Sequence, residues 1–174
     1  VIGGSLGARS INTGISSCIG QLLNVQAQLI WQTGKAFFGE AEKMTNEKKI
    51  NGAVKVFEFI SKMDLAYAAA DIIISRAGAI AVSELCCVGK PVILVPSPNV
   101  AEDHQTKNAI ALLDKDAAIL IKDQETGTKL GPVVSELLAD EHRRAVLGAN
   151  INKLAKYNAA EEIADEILKL AGKK

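Results

Sequence analysis

The sequence predicts an α/β fold in which a parallel sheet of about six strands is covered by helices on both faces. Three observations lead there. Short apolar, β-rich runs alternate with stretches of helical period. Several runs are apolar throughout, as in Ile72-Ile73-Ile74 and Val92-Ile93-Leu94-Val95. Loops of small residues follow several of the runs. A continuously apolar strand suits a sheet buried on both sides, because successive side chains point to opposite faces. Repeated strand–helix alternation then requires parallel pairing with right-handed crossovers.

Taken in order, the expected strands are Val1-Ile2, Gln28 to Gln32, Val54 to Phe59, Ile72 to Ser75, Val92 to Val95 and Ala118 to Ile121. Ile11, Ile15, Cys18, Ile19 and Leu22 recur with the period of a helix, as do Ala160, Ile163, Ala164, Ile167, Leu168 and Ala171 near the end. Asn158 with Glu161 predicts the start of that last helix, and Ser61 with Asp64 predicts another start. The stretch from Pro132 to Asn152 reads as two helices broken near Asp140. No low-complexity stretch, repeat or linker interrupts the pattern, so residues 1–174 are expected to form a single Rossmann-like domain.

Composition narrows the function. Hydrophobic residues make up 48% of the 174, enough apolar surface to exclude disorder as the main state. Lys+Arg and Asp+Glu each number 20, and aromatics are 4%, so neither the basic stripe nor the stacking platform of a nucleic-acid binder is present. Cys18, Cys86 and Cys87 form no disulfide framework or zinc pattern, which points to a reducing compartment. No apolar run reaches the roughly 18 residues of a spanning helix. The start, Val1-Ile2-Gly3-Gly4, lacks an initiator Met and reads as the end of a strand, so the chain is expected to be a piece of a longer protein.

In an open α/β sheet a ligand binds beyond the carboxyl ends of the strands, so the chemistry is sought in the loops that follow them. Gly3-Gly4-Ser5-Leu6-Gly7-Ala8-Arg9 precedes a helix; glycines admit a phosphate close to the backbone, and the helix start offers free N–H groups. The loop matches neither the P-loop nor a clean G-x-G-x-x-G. No acid ends the second strand at Trp31-Gln32-Thr33-Gly34, which weakens a dinucleotide reading. Ser75-Arg76-Ala77-Gly78-Ala79-Ile80-Ala81-Val82-Ser83-Glu84 again joins a strand to a helix through small residues. Glu84 falls about one turn into that helix, where a carboxylate can accept from a vicinal diol, or simply face water near the helix dipole. In Pro96-Ser97-Pro98-Asn99-Val100-Ala101-Glu102-Asp103-His104-Gln105-Thr106-Lys107-Asn108, the amides Gln105 and Asn108 offer paired donors and acceptors suited to sugar hydroxyls. His104 has no nucleophile beside it, and the only other histidine, His142, is remote, so neither acid–base catalysis nor a metal site is indicated. The backbone at Ile60, in Phe57-Glu58-Phe59-Ile60-Ser61, can pair with the edge of a planar base or merely end a strand.

The ordered set Gly-Gly-Ser-x-Gly-Ala-Arg, Glu-Phe-Ile, Ser-Arg-Ala-Gly-Ala, Ser-Glu, Gly-Lys-Pro and Asp-His-Gln-Thr-Lys-Asn-Ala resembles the C-terminal domain of the MurG family across the whole chain. The family comprises bacterial UDP-N-acetylglucosamine:undecaprenyl-diphospho-muramoylpentapeptide N-acetylglucosaminyltransferases. The resemblance implies the C-terminal half of a GT-B glycosyltransferase, with UDP-GlcNAc as donor. It further implies lipid I as an acceptor met through an N-terminal domain this chain lacks, inversion at the anomeric carbon, and no metal or other cofactor. It implies a place at the cytoplasmic face of the bacterial inner membrane, reached through the other domain. By the same resemblance Ser5, with Gly4 beside it, would contact the diphosphate, and Ile60 would meet uracil through its backbone. Ala79, Ile80, Ala81, Val82 and Ser83 would line phosphate and sugar, Glu84 would hold the ribose, and Gln105 with Asn108 would bind GlcNAc. His104 stands where some members carry Gln. No catalytic residue is expected in this chain, which alone would bind donor without transferring sugar. The alternatives are the donor subunit of a split UDP-GlcNAc transferase, another GT-B-like UDP-sugar enzyme such as a 2-epimerase, and a non-catalytic flavodoxin- or receiver-like module.

Overall fold

The computed structural model describes residues 1–4, 6–100 and 103–172. Its order is α1 (Arg9–Asn24), β1 (Leu29–Gln32), α2 (Lys35–Glu47), β2 (Val54–Phe57), α3 (Met63–Ala69), β3 (Ile73–Ser75), α4 (Ala79–Val88), β4 (Val92–Leu94), α5 (His104–Leu113), β5 (Ile119–Leu120), a 3₁₀ turn (Asp123–Glu125), α6 (Thr126–Ala139), α7 (Glu141–Asn152) and α8 (Ala159–Leu170). The described residues hold five strands, one fewer than expected. The difference lies at Val1-Ile2: Gly3 and Gly4 turn away from the sheet at once, and only Ile2 makes bridges to both sides.

Those bridges, to Gln32 of β1 and Ser75 of β3, join two parallel ladders, β1-β2 and β3-β4-β5. The spatial order is therefore β2, β1, Ile2, β3, β4, β5, with every pairing parallel. Counting the Ile2 bridge as the first strand, this is the doubly wound order 3-2-1-4-5-6. The order reverses between Ile2 and β3, and a crevice opens at their carboxyl ends.

Strand alternation divides the core between the two faces. Ile74, Ile93 and Val95 pack with α1, α2 and α6, whereas Ile73, Val92 and Leu94 pack with α4 and α5. Helix α1 lies directly on α6. A Cβ on Gly131 would meet Cys18 Cβ at 2.8 Å, and one on Gly14 would meet Thr126 Cβ at 2.9 Å, so two glycines set that approach. Helix α6 starts at Thr126, six residues before the expected start at Pro132, which lies inside it. The packing on α1 overrides the poor helix propensity of Gly127, Gly131 and Pro132. The break at Asp140 is where the sequence put it; the Asp140 carboxylate caps α7 by accepting the Arg143 N–H at 2.8 Å. Helix α3 begins after Lys62 rather than Ser61, and Asn158 precedes α8 without a side-chain capping bond. Helix α8 keeps the expected helical period, yet none of its residues is buried.

Candidate functional site

The crevice at the switch point opens into a cavity of about 1050 Å³. The four loops read from the sequence border it, together with Gln32 at the end of β1 and Asp123 after β5, because the parallel sheet delivers every strand-to-helix connection to the same edge. Gly4, Ile60, Ile80, Ala81, Glu84 and Gln105 line it together. Ala79, Val82 and Ser83 lie on the same helix, and His104 and Asn108 on α5, but they do not border the cavity. Ser5 lies outside the described residues.

The glycine loop owes its shape to backbone contacts that exclude a side chain. Gly7, at φ 81°, sits so close to the Thr33 carbonyl that a Cβ would come within 2.1 Å of its oxygen. The loop closes through Gly7 N–H donating to Gly4 C=O at 3.1 Å. Behind it, the buried Asn12 amide donates to Thr33 C=O at 2.8 Å and accepts from Trp31 Nε1 at 3.0 Å, fixing α1 to the end of β1.

Helix α4 starts at the cavity with extended Gly78 and no side-chain cap. Its first-turn N–H groups are therefore not covered by a capping side chain, as an anion site requires. The Ser83 hydroxyl donates back to Ala79 C=O at 3.0 Å. One turn in, Glu84 accepts a hydrogen bond from Tyr67 Oη at 3.1 Å. Burial, reinforced by the neighbouring Glu84 carboxylate, raises the Tyr67 phenol well above its ordinary value, so it stays a donor.

The third loop is braced from α5. Gln105 Oε1 accepts the Ser97 N–H at 3.0 Å, and Asn108 Nδ2 donates to Ala77 C=O at 3.0 Å. Asn108 thus holds the β3–α4 loop from behind. At the fourth loop the Ile60 N–H, one of the two groups expected to face a base, donates to Gln32 Oε1 at 2.8 Å. Phe59 is 60% exposed beside it at the cavity wall.

Sequence reasoning passed over the residues that join these loops. Arg76 Nη1 donates to Val95 C=O at 3.0 Å, to Pro96 C=O at 3.1 Å and to the Asp123 carboxylate, while Nη2 donates to Ser10 Oγ at 2.9 Å. Its planar fork links three strand ends and α1, which a point-charge lysine could not do. The available signal was an arginine directly after a buried strand, where a charge needs partners. No group of three or more His, Cys, Asp or Glu able to hold a metal occurs among the described residues.

The model of the glycosyltransferase family 28 C-terminal domain matches residues 1–166. This chain belongs to glycosyltransferase family 28. Within that family, it is 49% identical over its whole length to the UDP-N-acetylglucosamine--N-acetylmuramyl-(pentapeptide) pyrophosphoryl-undecaprenol N-acetylglucosamine transferase of Parabacteroides distasonis, covering 47% of that protein. It is 51% identical to the protein of the same name from Christiangramia forsetii, again over the whole chain and 46% of the relative. The crystal structure of Acinetobacter baumannii MurG superposes with a TM-score of 0.82 at 29% identity, over 97% of this chain and 48% of that one. The family 28 chain thus spans about half the length of the relatives it matches, and its fold is that of the C-terminal half of a GT-B glycosyltransferase.

Proposed function

We propose that this chain is the UDP-GlcNAc-holding half of an inverting hexosyltransferase that moves GlcNAc onto lipid I and so forms lipid II for peptidoglycan synthesis. The observation that carries the reading is the convergence of the glycine loop, the uncapped start of α4, Glu84 and Ile60 on one cavity at the switch point. That set suits a nucleoside diphosphate sugar. The diphosphate would lie against the N–H groups of α4 and the glycine loop, with Ser5 and Gly4 beside it. Ala79 through Ser83 form the first turns there, with Ile80 and Ala81 at the wall. Negative charge grows on the departing UDP as the glycosidic bond forms, and fixed N–H donors stabilise it without reorganising.

Glu84 would accept from the ribose diol, held in place by Tyr67. At Ile60 the N–H is engaged by Gln32, so the carbonyl is the group offered to the uracil edge, with Phe59 supplying an apolar face. Gln105 would use its NH₂ end on GlcNAc hydroxyls. Asn108 would act from behind as a brace, and His104 precedes Gln105 on α5 without bordering the cavity. The acceptor, the base that activates it and the attachment to the cytoplasmic face of the membrane would come from an N-terminal half, and this chain alone would not turn over. No helix among the described residues is long and apolar enough to cross a membrane. No metal or other cofactor enters the reading.

A calorimetric titration of this chain with UDP-GlcNAc, against UDP-galactose and NAD, tests it. Selective binding of UDP-GlcNAc is the expected result; equal or absent binding of all of them sinks the reading.

A further inference from the structure

Gln32 closes β1, at the strand end where a dinucleotide-binding fold carries its ribose-holding acid. Here the side chain turns inward and is 3% exposed. Its Oε1 accepts the Ile60 N–H at 2.8 Å, and its Nε2 donates to Gly4 C=O at 3.1 Å. An N–H can face only an acceptor and a carbonyl only a donor, so the two partners fix which way the amide points. One side chain therefore ties the glycine loop to the loop after β2. The same Gly4 carbonyl also accepts from Gly7 N–H, so the hook sits at the hinge of the glycine loop.

We propose that Gln32 is a positioning residue that sets the spacing between the diphosphate and base subsites of the donor cavity; this rests on the donor-site reading above. Glutamine suits the position, with one acceptor and one donor at the right reach. Asparagine is one methylene short of the span. A carboxylate would set negative charge against the Gly4 carbonyl in a buried place. An aliphatic side chain would leave a buried N–H and a C=O unpaired.

The isosteric Gln32→Glu separates the two bonds. It keeps an acceptor for Ile60 N–H and removes the donor to Gly4. At pH 8 it should bind UDP-GlcNAc about tenfold more weakly than the parent, while uridine, which lacks phosphate, should bind within about twofold of it. Burial at position 32 and the facing Gly4 carbonyl raise the introduced carboxyl above its ordinary value of about 4.3, so acidifying to pH 5 protonates it and restores a donor toward Gly4, and the variant-to-parent ratio for UDP-GlcNAc should move back toward one. Arg9, Tyr67, Arg76, Glu84 and Asp123 also line the cavity, and the Val1 amino group, lowered by burial to about 5, belongs to the residue whose carbonyl accepts the Gln32 N–H; all are common to both proteins, so the ratio isolates position 32. Gln32→Met, which brings no charge, should weaken both ligands and speed exchange of the Ile60 amide about tenfold or more, read by NMR. A parent that binds UDP-GlcNAc alongside a Gln32→Glu within twofold of it at pH 8 overturns this inference alone. So does an equal loss for uridine and UDP-GlcNAc with no recovery on acidification. A parent that does not bind UDP-GlcNAc overturns the donor-site reading, and this inference with it.

Discussion

Tyr67 on α3 and Glu84 on α4 meet across the cavity wall, with the phenol donating to the carboxylate at 3.1 Å. The bond joins two helices that follow different strands, and it restrains an otherwise exposed acid in one orientation. A restrained carboxylate binds a diol with less loss of side-chain freedom than a free one.

Glu84→Ala should therefore weaken UDP-GlcNAc by about 10- to 100-fold, the range for losing a charged hydrogen-bond partner. Tyr67→Phe should weaken it by about two- to tenfold, since the acid remains but is less well held. Calorimetry checks both. A 2′-deoxyribose donor should bind the parent and Glu84→Ala with much closer affinities, because it has already lost one of the acid's partners.

Gly7→Ala places a Cβ 2.1 Å from the Thr33 carbonyl at a φ of 81°. The expected cost is roughly 2–3 kcal/mol or more, seen as a lower Tm together with loss of donor binding. Gly39→Ala is the control. A Cβ there meets nothing within 4 Å, and the residue is exposed inside α2, so stability should rise by about 0.5–1 kcal/mol.

Arg76→Lys keeps the charge but not the fork. It should leave carbonyls at Val95 and Pro96 without their donor and loosen the 3₁₀ turn that carries Asp123. We expect a loss of about 2 kcal/mol, or roughly 4–8 °C in Tm for a domain of this size. Differential scanning calorimetry reads it directly, and an unchanged Tm would mean the fork is dispensable.

Burial pushes the Cys18 thiol up from 9.0 to about 11. The folded value lies above the unfolded one, so the fold favours the neutral thiol. That contribution is complete below pH 9 and is lost as pH rises through 11. Tm should fall more steeply between those values in the parent than in Cys18→Ala, and thiol reagents should reach Cys18 only on unfolding or in strong alkali.

Much of this molecule was legible in its sequence because local rules govern those parts. Continuous apolar runs marked the strands, the helical period marked α1 and α8, and the break near Asp140 followed from two helical patterns that meet there. The loops that border the cavity were legible because glycines and small residues stand directly after the apolar runs. Helix α2 was not read, because its period is weakly apolar; only Phe37, Ala41 and Thr45 are buried. The joining residues escaped for a different reason. Gln32 and Arg76 matter through partners 28 and 47 positions away, and no spacing rule connects such positions.

The sequence by itself determined the α/β class, the parallel sheet, the strand-end loops that border the cavity and the family they resemble, because each rests on side-chain alternation or on residue types within a short span. Tertiary structure alone decided that Ile60 donates its N–H inward, that Asn108 braces rather than borders the cavity, and that Glu84 is held by Tyr67. It also decided that the apolar stripe of α8, with Ile163 60% and Leu170 88% exposed, has no cover among the described residues. Periodicity states that a helix has a face to bury; which surface meets that face, and which acceptor claims a given N–H, depends on how distant segments are brought together in space.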